Sequence, residues 1–505
     1  MMKNNFLLPL LFLALCSSCA CSKKPALPPA PNRDFTRYAE DISFSSKELG
    51  GTMSFNILLP ADYLSKPEKR YPVVYMLHGF GDSRKAWNDQ YLRVESKVKE
   101  LESQGLESMI YVFPDGNNSY YCNFYDGSYN YMDMFVNELV PYVDRVYRTL
   151  PDRQHRAVIG YSMGGFGAMV LPEKHPETFC VSVPLSMSFR TDGQYITEGP
   201  QSGWDYQWGR IFGGTGMEGE ARLTDYYKSH CPYYQFVEEN RESLSQVKWF
   251  LHCGDDEEQL LIANDDLHVQ LRKNGFDHEY RVNDGAHTSS YWRNTLIEVL
   301  PYVSYVMNGG DDWTFESDAP VVKPVELNAD GTYFKHELSA ETNAFYFVHQ
   351  GLGDDTVKEA FALLASNVPE SRNFILLPCN LTLKSLEEWM EYYHKQYGVG
   401  LTSDKRSGIA FGNAGKELWS HQDEFSGLYF DNASLLEDGA VEVSTDRFYY
   451  ISQTDDGANY EDMGALYKAC KAAGAPFQYR VRNGSGDPVR DILIGVNKMR
   501  TYINY

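Results

Sequence analysis

Positive charge is scarce in this chain of 505 residues. Its 46 lysines and arginines stand against 69 aspartates and glutamates, which gives a formal net charge of −23 at pH 7. A protein with this excess of negative charge is repelled by nucleic-acid phosphates and by anionic lipid surfaces. Nucleic acid is therefore excluded as a predicted partner.

Motifs that hold metals or phosphates are also missing. The cysteines that follow the N-terminal region show no C-x-x-C spacing of the kind that binds zinc, and no glycine-rich phosphate loop is found. These cysteines are Cys122, Cys180, Cys231, Cys253, Cys379 and Cys470. The sequence therefore predicts no metal site and no cofactor, and it leaves the pairing of the cysteines open.

The N-terminus has the pattern of an export signal. A lysine precedes an apolar run at residues 6–15, which is too short for a stable membrane span. Cys16, Cys19 and Cys21 follow and resemble the lipobox of bacterial lipoproteins, in which Cys19 or Cys21 would carry the lipid. The alternative is a plain signal peptide with incidental cysteines.

We therefore expect a lipoprotein-type signal peptide at residues 1–21 and a proline-rich tether at residues 22–36. Such a protein would be secreted across the inner membrane and anchored by lipid in the cell envelope, in the periplasm or at the outer membrane. Its oligomeric state is left open.

Short apolar or β-branched runs alternate with helical stretches from about Arg37 onward. "YPVVYMLHG", "SMIYVFP", "RAVIG" and "KWFLHC" are typical of strands. Between them, Tyr131, Phe135, Leu139 and Val143 recur every four residues and predict the buried face of a helix. This alternation predicts an α/β protein with a mostly parallel sheet and helices on both faces.

A serine lies between two glycines where a predicted strand meets a predicted helix. In "AVIGYSMGGFGAM", Gly160, Ser162 and Gly164 form a G-x-S-x-G motif. Glycines on both sides permit a sharp turn that leaves the serine hydroxyl exposed at the carboxyl end of the strand. Ser162 is the candidate nucleophile, and a small-residue connection without chemistry is the alternative.

A serine needs a base and an acid to become a nucleophile. His287, in "DGAHTSSYW", follows a predicted strand and is the candidate base. The acid should follow the strand "KWFLHC", where the carboxylates compete in one turn. These are Asp255, Asp256, Glu257 and Glu258. A solvated acidic turn is the alternative for the whole group.

The oxyanion of an acyl-transfer reaction needs two backbone N–H groups. Met163, directly after the nucleophile, and Phe80, in the turn "HGFGDS", are the candidates. In "PDGNNSYYCNFYDGSYNY", Tyr120, Tyr121 and Phe124 are candidates for a surface that stacks on a phenolic or sugar ring. The alternative is that they are core residues.

These motifs together resemble the esterase D-like (putative esterase) family of α/β-hydrolases. "YMLHGFGDS", "GYSMGGFGAM", "NELVPYVDRVYRT" and "YRVNDGAHTSSYW" carry the resemblance, which covers roughly residues 41–307. The family includes the feruloyl and acetyl-xylan esterases of carbohydrate esterase family 1. The resemblance implies an α/β-hydrolase fold and a serine carboxylic-ester hydrolase.

The resemblance also bears on the choice of acid. In the family the acid is an aspartate three residues after a glycine, and Glu257 stands at that position here. Mycolyltransferase relatives carry glutamate there, so Glu257 is the predicted acid and Asp256 the alternative.

The pattern of the first half recurs in the second half. "FQYRVRNGSGDPVRD" at residues 477–491 repeats "HEYRVNDGAHTSSYW" at residues 278–292. The strand and helix that precede each of these segments also align without a gap. This predicts a catalytic domain at residues 37–308, a linker at 309–326 and a shortened, degenerate esterase-like domain at 327–505. Two unrelated α/β domains with similar turns are the alternative.

The second copy is predicted to be non-catalytic. Asn413 or Ala414 falls in the place of Ser162, Gly486 in the place of His287, and Asp456 opposite Glu257. The predicted role of this domain is structural support, or an extension of a glycan-binding surface. A chain ending near Asp311 is therefore expected to keep its catalytic activity.

The sequence thus predicts a secreted serine esterase that removes feruloyl or acetyl groups from plant cell-wall xylan, with a polysaccharide or oligosaccharide ester as substrate. One alternative is an esterase for another small ester, such as a siderophore or a general acyl ester. The other is a non-catalytic glycan-binding homologue.

Overall fold

The computed structural model describes residues 37–311, 313, 322–366, 373–435 and 441–503. The predicted signal peptide and tether lie outside the described residues, as do residues 312 and 314–321 of the predicted linker. Within the described ranges, no helix combines the length and the apolar composition that a membrane span requires. The six cysteines named above are all buried and free of disulfides.

Fifteen strands form in the described part of the chain. They are β1 (Tyr38–Ser46), β2 (Gly51–Leu58), β3 (Val73–Leu77), β4 (Ile110–Pro114), β5 (Arg156–Tyr161), β6 (Val181–Leu185), β7 (Lys248–Gly254), β8 (Glu279–Asn283), β9 (Tyr333–Phe334), β10 (Asn343–His349), β11 (Phe374–Asn380), β12 (Arg406–Phe411), β13 (Gly427–Asp431), β14 (Phe448–Thr454) and β15 (Phe477–Arg482).

The helices connect these strands. They are α1 (Val94–Ser103), α2 (Tyr131–Met134), α3 (Val140–Val146), α4 (Met163–Lys174), α5 (Asp192–Thr197), α6 (Gln201–Trp204), α7 (Arg210–Phe212), α8 (Asp225–Lys228), α9 (Pro232–Gln235), α10 (Arg241–Leu244), α11 (Glu258–Lys273), α12 (Ser289–Met307), α13 (Asp354–Ala365), α14 (Leu386–Tyr397), α15 (Ala414–Ser420), α16 (Tyr460–Ala473) and α17 (Pro488–Met499).

The sheet of the first half is buried on both faces. On β3, Val73, Tyr75 and Leu77 point into one apolar cluster, and Val74 and Met76 point into another. A strand with two buried faces is typical of a parallel sheet covered by helices on both sides. The α/β fold expected from the alternating pattern is therefore confirmed.

The predicted helical face between β4 and β5 is also confirmed. Tyr131, Phe135, Leu139 and Val143 are all fully buried. They lie on α2, on a π-helical turn at Phe135–Leu139 and on α3, which follow one another without a break. The four-residue spacing thus located the face, and the π-helical turn was not anticipated.

The strand order of the first half returns in the second half. The parallel strands follow the order β4-β3-β5-β6-β7-β8 in the first half and β11-β10-β12-β13-β14-β15 in the second. Both halves belong to one sheet of fifteen strands, because β8 pairs antiparallel with β15 through Val282 and Val481. The domain boundaries at residues 308 and 327 stay predictions, but the two halves share a single sheet.

Candidate active site

Ser162 lies on a strained turn at the carboxyl edge of the sheet. Strand β5 ends at Tyr161, α4 begins at Met163, and Ser162 between them has φ 57° and ψ −120°. The turn needs glycine on both sides: a Cβ on Gly160 would come 2.0 Å from the Gly164 carbonyl oxygen, and one on Gly164 would come 2.2 Å from the Leu77 carbonyl oxygen. Backbone strain of this kind collects at functional sites.

His287 reaches Ser162 from the loop that follows β8. Its Nε2 lies 2.9 Å from Ser162 Oγ, and its Nδ1 lies 2.8 Å from Glu257 Oε2. The loop ends where the Thr288 hydroxyl accepts the Tyr291 N–H and starts α12. The structure therefore brings Ser162, His287 and Glu257 into one hydrogen-bonded line.

Glu257 is held by donors that leave one oxygen for His287. Its side chain is buried, and its Oε1 accepts the Gly254 N–H at 2.9 Å and the Ser186 hydroxyl. Ser186 in turn accepts the Trp292 indole N–H at 2.8 Å. The sequence analysis did not identify these two residues. Ser186 ends the strand segment "CVSVPLS", and Trp292 ends the segment "DGAHTSSYW".

The other carboxylates of the acid turn point elsewhere. Asp256 is exposed and joins the turn only through its backbone N–H, which donates to the Gly285 carbonyl at 2.9 Å. Asp255 is buried against Arg480. The structure therefore places Glu257 against His287, and neither Asp256 nor Asp255 is there. The side chain of Glu258 lies outside the described part of the structure.

The acid turn also holds a set of carboxylates close enough to chelate an ion. In the described ranges, the group of Asp255, Asp256 and Asp284 has ligand atoms within 4.8 Å of one another. Asp255 already pairs with Arg480, and Arg480 also contacts Asp284 at 3.1 Å. The arginine therefore already pairs with two of these three carboxylates.

The turn after β3 lies against the start of α4, because a Cβ on Gly164 would come 2.7 Å from the His78 carbonyl oxygen. The buried His78 side chain accepts the Gly116 N–H at 2.8 Å, and the Gly81 N–H donates to the Asn118 side chain at 2.8 Å, so both ends of the turn are anchored. Among the described residues, no acceptor bonds the backbone N–H of Phe80 or of Met163. Both are therefore available to an oxyanion.

Two of the three predicted stacking residues are core residues. Tyr120 and Tyr121 are fully buried, so neither ring presents a face to a substrate, and the prediction for them is wrong. The Tyr121 hydroxyl donates to the His78 carbonyl at 3.0 Å, while the Tyr120 hydroxyl lies 3.2 Å from Ser188 Oγ. Burial raises the pKa of Tyr120 to about 12. Both rings are buried, and their hydroxyls contact residues near the site.

Phe124 lines an open cavity of about 550 Å³ beside the Phe80 turn. Tyr129 and Tyr206 line it too, and the Tyr206 ring lies 6.0 Å from that of Phe80. The Arg210 guanidinium lies 4.4 Å from the Tyr206 ring and 5.3 Å from the Phe124 ring. A cavity with aromatic walls and a cation suits a ring that carries polar groups.

The equivalent edge of the second half corrects the predicted correspondence for the serine. Tyr161 pairs with Leu185 on β6, as Phe411 pairs with Asp431 on β13. The next residue is therefore Ser162 in the first half and Gly412 in the second, with φ 57° and 51°. Gly412, and neither Asn413 nor Ala414, takes the place of the serine.

The predicted correspondence for the acid is also one residue off. Asp255 donates its N–H to the Asn283 carbonyl after β7, and Asp455 donates its N–H to the Arg482 carbonyl after β14. Two residues further on, Glu257 is matched by Gly457. The gapless alignment failed because the second half has one residue fewer between its paired strands: Leu251 pairs with Tyr280, 29 residues on, and Ile451 pairs with Tyr479, 28 residues on.

Gly486 does stand where His287 stands. Each precedes the residue that caps the next helix, which is Thr288 for α12 and Asp487 for α17. This edge of the second half encloses a cavity of about 460 Å³ that includes Gly412 and Gly457 in its lining. Glycine thus occupies all three positions that hold the serine, glutamate and histidine in the first half.

This chain is similar to several known proteins. Esterase Rv1288 of Mycobacterium tuberculosis is 32% identical over 136 residues, which are 26% of this chain and 28% of that protein. The Endo-1,4-beta-xylanase/feruloyl esterase of Xylanibacter ruminicola is 26% identical over 289 residues, 53% of this chain and 32% of the relative. The Acetyl esterase of Caldicellulosiruptor saccharolyticus is 23% identical over 287 residues, 52% and 97% of the two chains.

The chain spans less than a third of the length of the first two of these relatives. Among solved structures, a ferulic acid esterase is 28% identical, with 52% of this chain and 96% of that chain covered and a TM-score of 0.43. The family model described as Putative esterase matches residues 46–303, just over half of the chain. This protein belongs to the Putative esterase family.

Proposed function

We propose that this protein is a serine esterase that hydrolyses feruloyl (hydroxycinnamoyl) or acetyl esters on plant cell-wall xylan. The observation that carries the proposal is the line of hydrogen bonds from Ser162 through His287 to Glu257. Family membership supports ester hydrolysis. The relatives that are named as feruloyl esterase and acetyl esterase support the two acyl groups.

Acylation begins when His287 Nε2 takes the proton of Ser162 Oγ as the oxygen attacks the ester carbonyl. The carbonyl oxygen becomes an oxyanion, which the backbone N–H groups of Phe80 and Met163 stabilise. Glu257 accepts the Nδ1–H of His287 and stabilises the imidazolium. The imidazolium then protonates the sugar oxygen, and the alcohol leaves while the acyl group stays on Ser162.

Deacylation repeats these steps with water. His287 takes a proton from a water molecule as its oxygen attacks the acyl carbon, and the same two N–H groups stabilise the second oxyanion. Ser162 Oγ then recovers the proton from His287 and leaves as the carboxylic acid forms. Atoms and charge balance without a cofactor.

The cavity beside Phe80 is the proposed site for the ring of a feruloyl group. Phe124, Tyr129 and Tyr206 offer aromatic contact, and Arg210 offers a donor for a phenolic or methoxy oxygen. The same groups can contact a sugar ring of the xylan chain.

The second half is proposed to be a degenerate, non-catalytic copy. With Gly412, Gly457 and Gly486 in the three positions, it has no nucleophile, acid or base there. The secretion signal and lipid anchor read from the N-terminus complete the proposal, since xylan is an extracellular substrate.

Glu257→Gln is expected to lower kcat by about 10³- to 10⁴-fold, because an amide cannot hold the reactive tautomer of His287. Asp256→Asn, a change of the same size one residue away, should leave kcat within about twofold because Asp256 is exposed. Steady-state hydrolysis of p-nitrophenyl acetate measures both. A large loss of kcat in Asp256→Asn together with a near wild-type kcat in Glu257→Gln would contradict the assignment.

Phe124→Ala is expected to raise KM for methyl ferulate by about fivefold, since an aromatic contact is worth on the order of 1 kcal/mol. KM for p-nitrophenyl acetate, whose acyl group has no ring, should change little. Tyr125→Ala removes the neighbouring exposed ring, which does not line the cavity, and serves as the control. An equal effect on both substrates would place the feruloyl group elsewhere.

The proposed substrate class is tested with methyl ferulate and acetylated xylan. We expect turnover of at least one of them with kcat/KM well above that for p-nitrophenyl butyrate. Turnover of p-nitrophenyl esters alone would show that the protein is an esterase for another class of substrate and would overturn the proposed substrates. The absence of turnover of any ester would overturn the whole proposal.

A further inference from the structure

A buried ion pair joins the two halves directly beside the proposed triad. Arg480 on β15 donates from Nη1 to Oδ2 of Asp255, the first residue of the acid turn. The Tyr479 N–H donates to the same oxygen at 3.2 Å. The Asp255 side chain is 1% exposed and the Arg480 side chain 10%. The second half therefore supplies the counter-ion of a buried carboxylate that the first half contains.

The other oxygen of Asp255 holds the histidine loop. Its Oδ1 accepts the Gly285 N–H at 3.2 Å, two residues before His287. The backbone adds two bonds between the same segments: the Asp255 N–H donates to the Asn283 carbonyl at 3.0 Å, and the Asp256 N–H to the Gly285 carbonyl at 2.9 Å. Asp255 thus connects the turn that carries Glu257 to the loop that carries His287.

The acid turn and the histidine loop are packed closely against each other at Gly254 and Gly285. A Cβ on Gly254 would lie 2.1 Å from the Gly285 carbonyl oxygen, and one on Gly285 would lie 2.4 Å from the Tyr291 ring. Gly285 also has φ +150°, in the region that other residues rarely adopt. A shift of Asp255 would therefore be passed to Gly285 and from there to His287.

Loss of Arg480 would leave Asp255 as a lone charge in the interior. Burial raises the pKa of Asp255, and Arg480 opposes that rise. A buried carboxylate without a partner is strongly unfavourable, so it takes up a proton or moves toward water. Either response disturbs its bond to the Gly285 N–H.

We propose that Arg480 is a positioning residue for the active site, so that the second half completes the geometry of His287 and Glu257 from across the β8–β15 junction. This inference rests on the proposed esterase function. It assigns the second half a role in the reaction that goes beyond general support.

The same junction contains a matched pair that lacks this role. Arg281 on β8 donates to Asp455 Oδ2, and Asp455 Oδ1 accepts the Gly484 N–H at 3.2 Å. This is the Arg480–Asp255 arrangement with the two halves exchanged, but the loop it holds carries Gly486. Asp455→Asn therefore disturbs a buried pair at the same junction and serves as the control, with Arg281 still paired to Glu279 and Glu298.

The test compares variants of the full chain in p-nitrophenyl acetate hydrolysis. Arg480→Gln should lower kcat by about 10- to 100-fold with KM nearly unchanged, since a displacement of about 1 Å can cost 10²-fold in rate. Arg480→Lys, which keeps the charge, should recover most of kcat. Asp455→Asn should lower the melting temperature as Arg480→Gln does but leave kcat within about twofold.

Labelling of Ser162 by a fluorophosphonate counts the competent sites, so that kcat refers to folded enzyme only. If Arg480→Gln yields no folded protein, the double variant Asp255→Asn with Arg480→Gln replaces the ion pair by a neutral amide pair, and it should fold and exceed Asp255→Asn alone in kcat.

Wild-type kcat in Arg480→Gln, or equal losses in Arg480→Gln and Asp455→Asn, would overturn the positioning role while Ser162-dependent hydrolysis stands. A wild-type chain without esterase activity would instead overturn the proposed function.

Discussion

Ser162→Ala is expected to reduce ester hydrolysis to background, a loss of about 10⁶-fold in kcat by analogy with other serine hydrolases. The hydroxyl is the proposed attacking group, and it is hydrogen-bonded to the proposed base, His287, at 2.9 Å. The fold should be unaffected, because alanine at this turn removes one partly exposed oxygen. Hydrolysis of p-nitrophenyl acetate and methyl ferulate by the full chain measures the loss.

Two features make this result decisive. The second half has Gly412 at the position of Ser162, so that position offers no replacement nucleophile. Ser103→Ala, at the exposed end of α1, controls for the loss of a serine hydroxyl and should be fully active. An unchanged thermal unfolding curve for Ser162→Ala excludes misfolding, and activity above a small fraction of wild type would refute the mechanism.

Removal of the second half is expected to have the largest effect on stability. A chain that ends at Asp311 should be insoluble or unfolded at 25 °C. This reverses the expectation from sequence that such a chain keeps its activity, because the two halves share one sheet. Strand β8, with Tyr280 and Val282 fully buried in the complete protein, would become an exposed edge.

The cost of this truncation is large compared with the stability of a protein. Tyr280 and Val282 would be exposed to water, at about 1.5–3 kcal/mol for each fully buried side chain, and Asp255 and Arg281 would exchange Arg480 and Asp455 for water. Tyr479, whose hydroxyl donates to the buried Asp265 at 2.7 Å, would be lost as well. Such losses approach the total unfolding free energy of about 5–15 kcal/mol that most proteins have.

The soluble yield and the thermal unfolding curve of the truncated chain measure this effect, with full-length Ser162→Ala as the control for expression. Co-expression with residues 314–505 as a separate chain should restore solubility, because it supplies β15, Arg480 and Tyr479. A truncated chain that is soluble, unfolds cooperatively near the wild-type temperature and keeps wild-type kcat would contradict both this prediction and the role given to Arg480.

Local sequence was sufficient wherever one short segment carries the whole signal. The glycines around Ser162 define the turn by themselves, because only residues without a side chain fit there. The four-residue spacing from Tyr131 to Val143 located a buried helical face, because residues with this spacing lie on one side of a helix. Glu257 was singled out among four carboxylates by the resemblance to the family, in which the acid lies three residues after a glycine, although its bond to His287 was not visible.

The errors arose where the outcome depended on residues far apart in the chain. Tyr120 and Tyr121 lie in an aromatic loop that could be exposed or buried, and packing under the loops of the site decided for burial. The gapless alignment of the two halves placed Asp456 opposite Glu257, because sequence similarity does not reveal where a single residue is missing. Only strand pairing showed that Gly457 stands there.

The sequence by itself determined the class of fold, the family, and the serine and histidine of the site, since each follows from the pattern of a contiguous segment. The tertiary structure alone decided how the halves are joined. A single antiparallel pairing between β8 and β15 brings Arg480 to Asp255 across 225 residues of chain. No local pattern encodes that contact, because the two charges meet only when β8 and β15 have paired in the shared sheet.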